Sequence, residues 1–181
     1  WSPDSKFVGF IRFDETEVPE FSMPMYAGKA PKFAANKLYP GEDTFKYPKA
    51  GEKNSTISVH TYDISTKTTI RVDIGEKTDI YIPRLKWSTD GNDMVVMRLN
   101  RHQNTLDLLY ANPYTGDTRP LITEKNDRYV DQSFLDDVKY LDNGNFVVCS
   151  ERNGWSHLYL YDNHGFELAQ PYIIQWGYQP V

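Results

Sequence analysis

The sequence is nearly without cysteine: Cys149 is alone, so no disulfide can form within the chain. Long apolar runs are missing as well, and nothing approaches the roughly eighteen residues that cross a bilayer as a helix. No segment combines the charged, apolar and small-residue parts of a secretory signal, and a chain opening on Trp1 without Met is expected to be an excised or mature piece. An excess of positive charge is also absent. The 20 Lys and Arg are interspersed with 25 Asp and Glu for a net charge of −5, which offers no basic surface to nucleic acid or to an anionic membrane. Helical periodicity is scarce, since no segment holds a 3.6-residue apolar period for long. The four histidines, His60, His102, His157 and His164, have no paired ligand spacing, Asp136-Asp137 reads as a solvated turn, and no glycine-rich phosphate loop is present. No metal and no cofactor are therefore expected.

Aromatics, by contrast, are plentiful. They make up 14% of the chain, with 13 Tyr, and Gly and Pro number 11 each among 181 residues. That mix favours short strands joined by tight turns, in a chain long enough to bury a sizeable core.

One phrase recurs. WSPDSKFVGFIRFD (Trp1 to Asp14) returns as WSTDGNDMVVMRLN (Trp87 to Asn100) and again as YLDNGNFVVCSE (Tyr140 to Glu151). Each copy has an apolar entry, a turn built on Asp with Gly or Ser, and an apolar strand, FVGFIRF, MVVMRL or FVVCSE. These strands are apolar on both faces, as expected of strands sandwiched between other sheets. A second marker follows each: ISVHTYD, LDLLYAN and HLYLYD, centred on Tyr62, Tyr110 and Tyr161. A period near fifty residues with several strands per repeat predicts β-propeller blades. Three blades cannot close a ring, so the expected fold is an all-β fragment of about three four-stranded antiparallel blades, cut from a larger propeller. The blades are expected over 1–74, 79–124 and 129–171, with the tail from 172 to 181 not assigned.

The first repeat carries extra residues between two of its strands, from about 14 to 56. Phe21, Met23 and Met25 alternate there, followed by Tyr26, Phe33, Phe45 and Tyr47. Period-2 apolar spacing describes an extended arm with one face seeking cover. The blade is complete without it, so the arm is expected to meet a partner, most simply a second copy of itself.

Catalytic chemistry is not expected in this piece. The nearest approach to a nucleophile elbow, Gly154-Trp155-Ser156-His157-Leu158, lacks the second Gly, and neighbours on a strand point to opposite faces, so His157 cannot serve Ser156. Asn54-Ser55-Thr56 fits a glycosylation acceptor, a triplet common by chance. In Asn100-Arg101-His102-Gln103-Asn104, Arg101 and Gln103 are expected to bond neighbouring backbone and order a blade turn.

In order along the chain, WSPD, FIRFDETEVP, YPKAGEKN, YIPRLKW, LNRHQN and SERNGWSHLYLYD resemble the N-terminal propeller region of dipeptidyl peptidase IV and its bacterial relatives, in the prolyl oligopeptidase clan. The resemblance implies an eight-bladed propeller capping an α/β-hydrolase domain, which removes N-terminal dipeptides after Pro or Ala with a Ser-Asp-His triad. That catalytic domain is not in this sequence. It further implies a periplasmic or extracellular setting, a peptide substrate for the full-length protein, and homodimerisation through the arm. The family's pair of adjacent glutamates that grips the substrate amine lies upstream of WSPD, and Glu15 and Glu17 read as solvated edge residues rather than as stand-ins. One inter-blade loop of the family approaches the substrate; the matching stretch is Tyr129 to Ser133, which nominates Asp131, Gln132 and Ser133 as contacts. The family's aromatic-basic pair is replaced there by Gln132, Ser133 and Phe134, so the carry-over is of place rather than of chemistry. Two other readings remain: a non-catalytic interaction propeller, and a carbohydrate-binding propeller suggested by the abundance of Tyr and Trp.

Overall fold

The repeated phrase folds alike at each copy, and its short polar side chains explain why. A computed structural model describes residues 1–27, 38–131 and 138–169. In it the buried Ser2 hydroxyl donates to Asp4 Oδ1 at 2.7 Å and accepts the Phe7 amide at 2.9 Å. Ser88 repeats this with Asp90 Oδ1 at 2.6 Å and the Asp93 amide at 3.1 Å. Beneath both lies one main-chain bond, Ser2 N to Phe7 O and Ser88 N to Asp93 O, each 2.9 Å. The third copy keeps it as Leu141 N to Asn145 O at 2.8 Å, although a Leu stands where the Ser was. A second turn is equally repetitive: the side-chain oxygens of Asp63, Asn112 and Asp162 each cap amides two to four residues on.

The described residues form strands and turns, with no helix among them. The first sheet holds β1 (Phe7–Asp14), β4 (Thr56–Asp63) and β5 (Thr68–Val72), in the order β1-β4-β5. Between β1 and β4 the chain makes a separate hairpin of β2 (Glu20–Met25) and β3 (Gly41–Lys46). A second sheet runs in sequence order through β6 (Ile80–Trp87), β7 (Met94–Asn100), β8 (Thr105–Ala111) and β9 (Thr118–Lys125). A third does the same with β10 (Lys139–Tyr140), β11 (Phe146–Ser150), β12 (His157–Tyr161) and β13 (Glu167–Ala169). Both of these sheets are antiparallel throughout. The chain divides into two compact units, one of Trp1–Arg12 with Ile57–Val181 and the other of Phe13–Thr56.

The all-β, antiparallel expectation holds, with one correction. The first sheet has three strands rather than four. WSPD is the counterpart of the turn between β6 and β7, so β1 corresponds to β7, and the described residues give this sheet no counterpart of β6.

In the first unit, two apolar clusters flank the second sheet. Met94 and Val96 of β7, with Leu109 and Ala111 of β8, join Ile57, Val59 and Val72 of the first sheet. Val95, Met97 and Leu99, with Leu106 and Leu108, join Phe146, Val148, Tyr159 and Tyr161 of the third. Alternate residues thus leave β7 toward different neighbours, and from Met94 to Met97 both faces are buried. Full burial of each such side chain contributes on the order of 1.5–3 kcal/mol. On β6 the parity switches from Ile80 and Ile82 to Leu85 and Trp87 across a bulge between Tyr81 and Arg84. Pro83 sits in that bulge on an edge strand, where a missing amide disturbs no ladder.

The expectation that all three apolar strands are sandwiched is corrected as well. Only β7 is buried on both faces; β1 leaves Phe10 and Phe13 exposed, and β11 alternates between buried and half-buried residues. Within the described residues, the first and third sheets have a sheet neighbour on one side only.

Neighbouring sheets are also fastened at their turns. Asp73 N donates to Gly116 O at 2.8 Å, and the hydroxyls of Thr118 and Thr61 reach Asp73 O and Pro113 O at 2.7 and 2.8 Å. Gly116 (φ +80°) and Gly165 (φ +87°) occupy equivalent turns, and a Cβ on either would stand 2.2 Å from a carbonyl oxygen of the preceding sheet, that of Arg71 or Leu121. Only glycine fits, both for its positive φ and for the close approach.

Gly165→Ala should therefore cost this chain at least about 3 kcal/mol, strain plus displacement of the docked backbone. Gly144→Ala shares the positive φ (+83°) but meets nothing within 4 Å, and should cost only about 1 kcal/mol. Denaturant titration of both variants checks the difference; equal losses would show that the docking is unimportant.

A second expectation concerns acid. The Lys6 ammonium and the Ser2 hydroxyl hold the Asp4 carboxyl down to about 2, from 3.8. A depressed carboxyl stabilises above its unfolded pKa and loses that contribution as pH falls through the folded one. The stability gap between the native chain and Asp4→Asn, present at neutral pH, should close between about pH 4 and pH 2. A gap that persists at the acid end would refute this assignment.

Candidate functional site

At one edge of the second and third sheets, loops rather than strands carry the polar side chains. The β7–β8 turn is organised by Asn100, whose Oδ1 accepts the amides of Asn104 and Thr105 at 3.0 Å while its Nδ2 donates to Asn104 Oδ1 at 2.8 Å. This corrects the sequence expectation for Arg101, which points to the Asp79 carboxylate at 3.5 Å and lies over the Tyr81 ring. The Gln103 main chain, at φ +57°, does bond neighbouring backbone, donating to Asn100 O at 2.9 Å. Asn100 lies at the end of an apolar strand, where its capping role had no sequence signal beyond the residue type.

The segment after β9 is laid along this turn. Asn126 N donates to Asn104 O at 3.1 Å, and Val130 N donates to Gln103 O at 2.8 Å. Val130 packs against the apolar cluster beneath, and Tyr129 beside it is exposed. Asp131, a nominated contact, is half-buried at the end of this loop. Gln132, Ser133, Phe134 and Asp136-Asp137 lie outside the described residues.

Below the loop is a charged cluster that sequence reasoning missed. Glu124, near the end of β9, is only 8% exposed. Its Oε2 accepts the Ser150 hydroxyl at 2.8 Å, and its Oε1 accepts Arg152. Arg152 also donates from Nε to Ser150 Oγ at 3.0 Å and from a terminal nitrogen to Glu167 at 3.1 Å. Its guanidinium lies 4.1 Å over the Tyr159 ring. Each guanidinium nitrogen thus has a partner, and both Glu124 oxygens are taken. A small cavity of about 40 Å³ separates this cluster from Tyr129, Val130 and Asp131. Chemically the cluster can hold a position, since Arg152 and Ser150 occupy both oxygens of the buried Glu124 carboxylate.

The described residues hold no nucleophile-base pair of the hydrolase kind. Ser156 precedes β12, and its Oγ lies 2.9 Å from Cys149 Sγ, not at His157. His157 faces Ser150 across the β11–β12 ladder. Ser58 Oγ and His60 Nε2 do approach to 3.0 Å, two apart on one face of β4. His60, however, is stacked on Phe10, and its pKa is lowered first by burial and then by the charges of Arg71 and Arg12. Those cations oppose an imidazolium, whereas a catalytic base needs a carboxylate to stabilise one. Glu15 closes a turn through its carbonyl to Val18 N, and the exposed Glu17 carboxylate is paired with Lys53. Among the described residues, no group of three or more His, Cys, Asp or Glu is placed to hold a metal.

The second unit contains the arm's hairpin. Its register pairs Phe21 with Phe45, Met23 with Asp43 and Met25 with Gly41. Phe21, Met23, Met25 and Phe45 therefore share one face, with Tyr47 continuing it. The opposite face is polar: Glu20 with Lys46 at 3.6 Å, and Thr44 Oγ1 donating to Ser22 Oγ at 3.2 Å. The rings of Phe21, Phe45 and Tyr47 lie 5.9 to 6.1 Å apart, and the Lys49 ammonium sits 5.0 Å over Phe21. Met23, Tyr26, Phe45 and Tyr47 are all exposed. Phe33 lies outside the described residues.

Comparison with known proteins agrees with this architecture. Residues 1–177 match the family model described as the dipeptidyl peptidase IV (DPP IV) N-terminal region. Dipeptidyl peptidase 4 of Trichophyton rubrum is 33% identical over 174 residues, and the probable dipeptidyl peptidase 4 of Trichophyton verrucosum 32% over 176; each alignment covers 91% of this chain and 22% of the relative. Among solved structures, Porphyromonas gingivalis dipeptidyl peptidase 4 superposes with a TM-score of 0.83 at 40% identity, over 94% of this chain and 23% of that one. A putative dipeptidyl aminopeptidase IV from Bacteroides ovatus gives 0.77 at 26% identity, over 91% and 22%. The chain thus spans under a quarter of the length of the relatives it matches. Three-stranded and four-stranded antiparallel sheets packed in series, together with a family match from Trp1 to Gly177, place this chain in the dipeptidyl peptidase IV N-terminal region family, as a piece of its β-propeller.

Proposed function

We propose that this chain is the part of a serine-type dipeptidyl peptidase that admits and positions peptides and joins two copies, while the chemistry resides elsewhere in the polypeptide. The parent releases N-terminal dipeptides of the Xaa-Pro or Xaa-Ala type, works in the periplasm or outside the cell, and pairs through the β2–β3 hairpin. Asp131, Gln132 and Ser133 are the residues proposed to border the path of the peptide. The observation that carries the reading is the pairing of a family match over residues 1–177 with an amphipathic hairpin inserted in the first sheet. Phe21, Met23, Met25, Phe45 and Tyr47 give that hairpin an apolar face, and the parity of the register gives it a polar one. A two-fold pairing of identical apolar faces is the simplest arrangement that removes such a surface from water.

Replacing Phe21 to Tyr47 with a short Gly-Ser turn should leave the β-sheet circular dichroism intact and release monomers of the full-length protein in light scattering. A dimer that survives the replacement would sink the hairpin as the contact.

The isolated 181-residue chain should release no chromophore from Gly-Pro or Ala-Pro substrates, because Ser156 meets Cys149 rather than a base and Ser58 meets a His60 flanked by cations. Turnover lost on Ser156→Ala would overturn the division of labour; turnover that survives that change would point to a contaminant.

A further inference from the structure

We infer that Arg152 is a positioning residue: it locks the end of β9 so that the loop from Asn126 to Asp131 is held in one place against the β7–β8 turn. The inference deepens the proposed function and rests on it only where the loop is taken to border the peptide.

The geometry is that of a three-way clamp. Arg152 follows β11 in the turn to β12, yet its donors reach Glu124 on β9 in the second sheet, Ser150 at the end of β11, and Glu167 on β13. Glu124 and Ser150 are 8% and 4% exposed, so at that end of the clamp water competes poorly, while the Arg152–Glu167 bond is exposed. Tyr159, buried beneath, supplies a flat support 4.1 Å from the guanidinium, and Asn153 Nδ2 donates to the Tyr159 hydroxyl at 3.0 Å. An Arg fits here because a planar fork can serve several acceptors at fixed angles while stacking on a ring; a Lys would present one point charge.

What the clamp fixes follows from the order of the chain. Glu124 lies two residues before Asn126, the first residue of the loop, whose amide is bonded to Asn104 O. Between the clamp and Tyr129, Val130 and Asp131 remains a cavity of about 40 Å³. The loop is therefore supported at its start by Glu124 and at Val130 by Gln103 O, with open space between. Removing the guanidinium leaves a buried carboxylate without its cation beside that space, where water or a shifted loop would compensate it. The consequence is displacement of the loop rather than loss of the core.

The test uses amide hydrogen exchange on this chain and steady-state kinetics on the full-length protein. In Arg152→Met, the Asn126 and Val130 amides should exchange about tenfold faster than in the native chain, with core amides of β7 unchanged. KM for a dipeptide substrate should rise about tenfold with kcat within about twofold. Removing the stranded charge in Glu124→Gln/Arg152→Met should bring both readouts back to within about threefold, and Arg152→Lys should fall between. Unchanged loop exchange in Arg152→Met, or a double variant no better than the single one, would overturn the positioning role. A double variant Tyr129→Ala/Asp131→Ala tests the loop itself. If it raises KM while Arg152→Met does not, the clamp is irrelevant to positioning. If neither changes KM although exchange behaves as expected, the clamp stands and the loop's contact with peptide fails.

Discussion

The apolar side chains of β7 are buried on both faces, and the rest of the structure depends on that constraint. A strand with one wet face can fold as part of a single sheet. One that sends Met94 and Val96 to one neighbour and Val95, Met97 and Leu99 to another exists only if both neighbours are in place. Burial is worth about 1.5–3 kcal/mol per side chain, so the sum over these five is comparable to the whole margin by which a domain is stable. The sheets are consequently not independent modules. Each is a half-solution to its neighbour's exposed surface, as expected of repeats whose faces cannot be buried alone.

Polar detail is organised around that stacking rather than in competition with it. The turns repeat because each must return the chain within two or three residues while leaving few amides unsatisfied, and Ser, Asp and Asn do this locally. Where sheets meet edge to edge, bare glycine backbone at Gly116 and Gly165 lets one turn dock on the carbonyl of the preceding sheet. The Glu124–Arg152 clamp belongs to the same class of fastening, at the opposite ends of β9 and β12 from these turns. One guanidinium spans two carboxylates there, which suits a part that must not move.

The hairpin of the second unit follows a different logic. Its aromatic rings touch one another, yet much of their area still faces outward, and its polar face is tied by exposed pairs such as Glu20–Lys46, worth at most about 1 kcal/mol each. Two strands alone are marginal in water. An apolar face of this kind is stabilised when something covers it, whereas the clamp finds its partners on neighbouring strands and turns.

Sequence by itself determined the class of fold, because strand periodicity and turn chemistry are local: a repeat of Asp-centred turns and apolar strands can be read without knowing what packs where. It also determined the two faces of the hairpin, since Phe21, Met23 and Met25 fall on one side of any extended strand. Tertiary structure alone decided which apolar strands are dry on both sides. FVGFIRF and MVVMRL look equally buried as text, but only the second has a neighbour on each face. The same holds for the capping role of Asn100 and for the clamp. Glu124, Ser150, Arg152 and Glu167 come from separate strands and turns, with no motif to announce them, and only the stacking of one sheet on the next brings them within bonding distance.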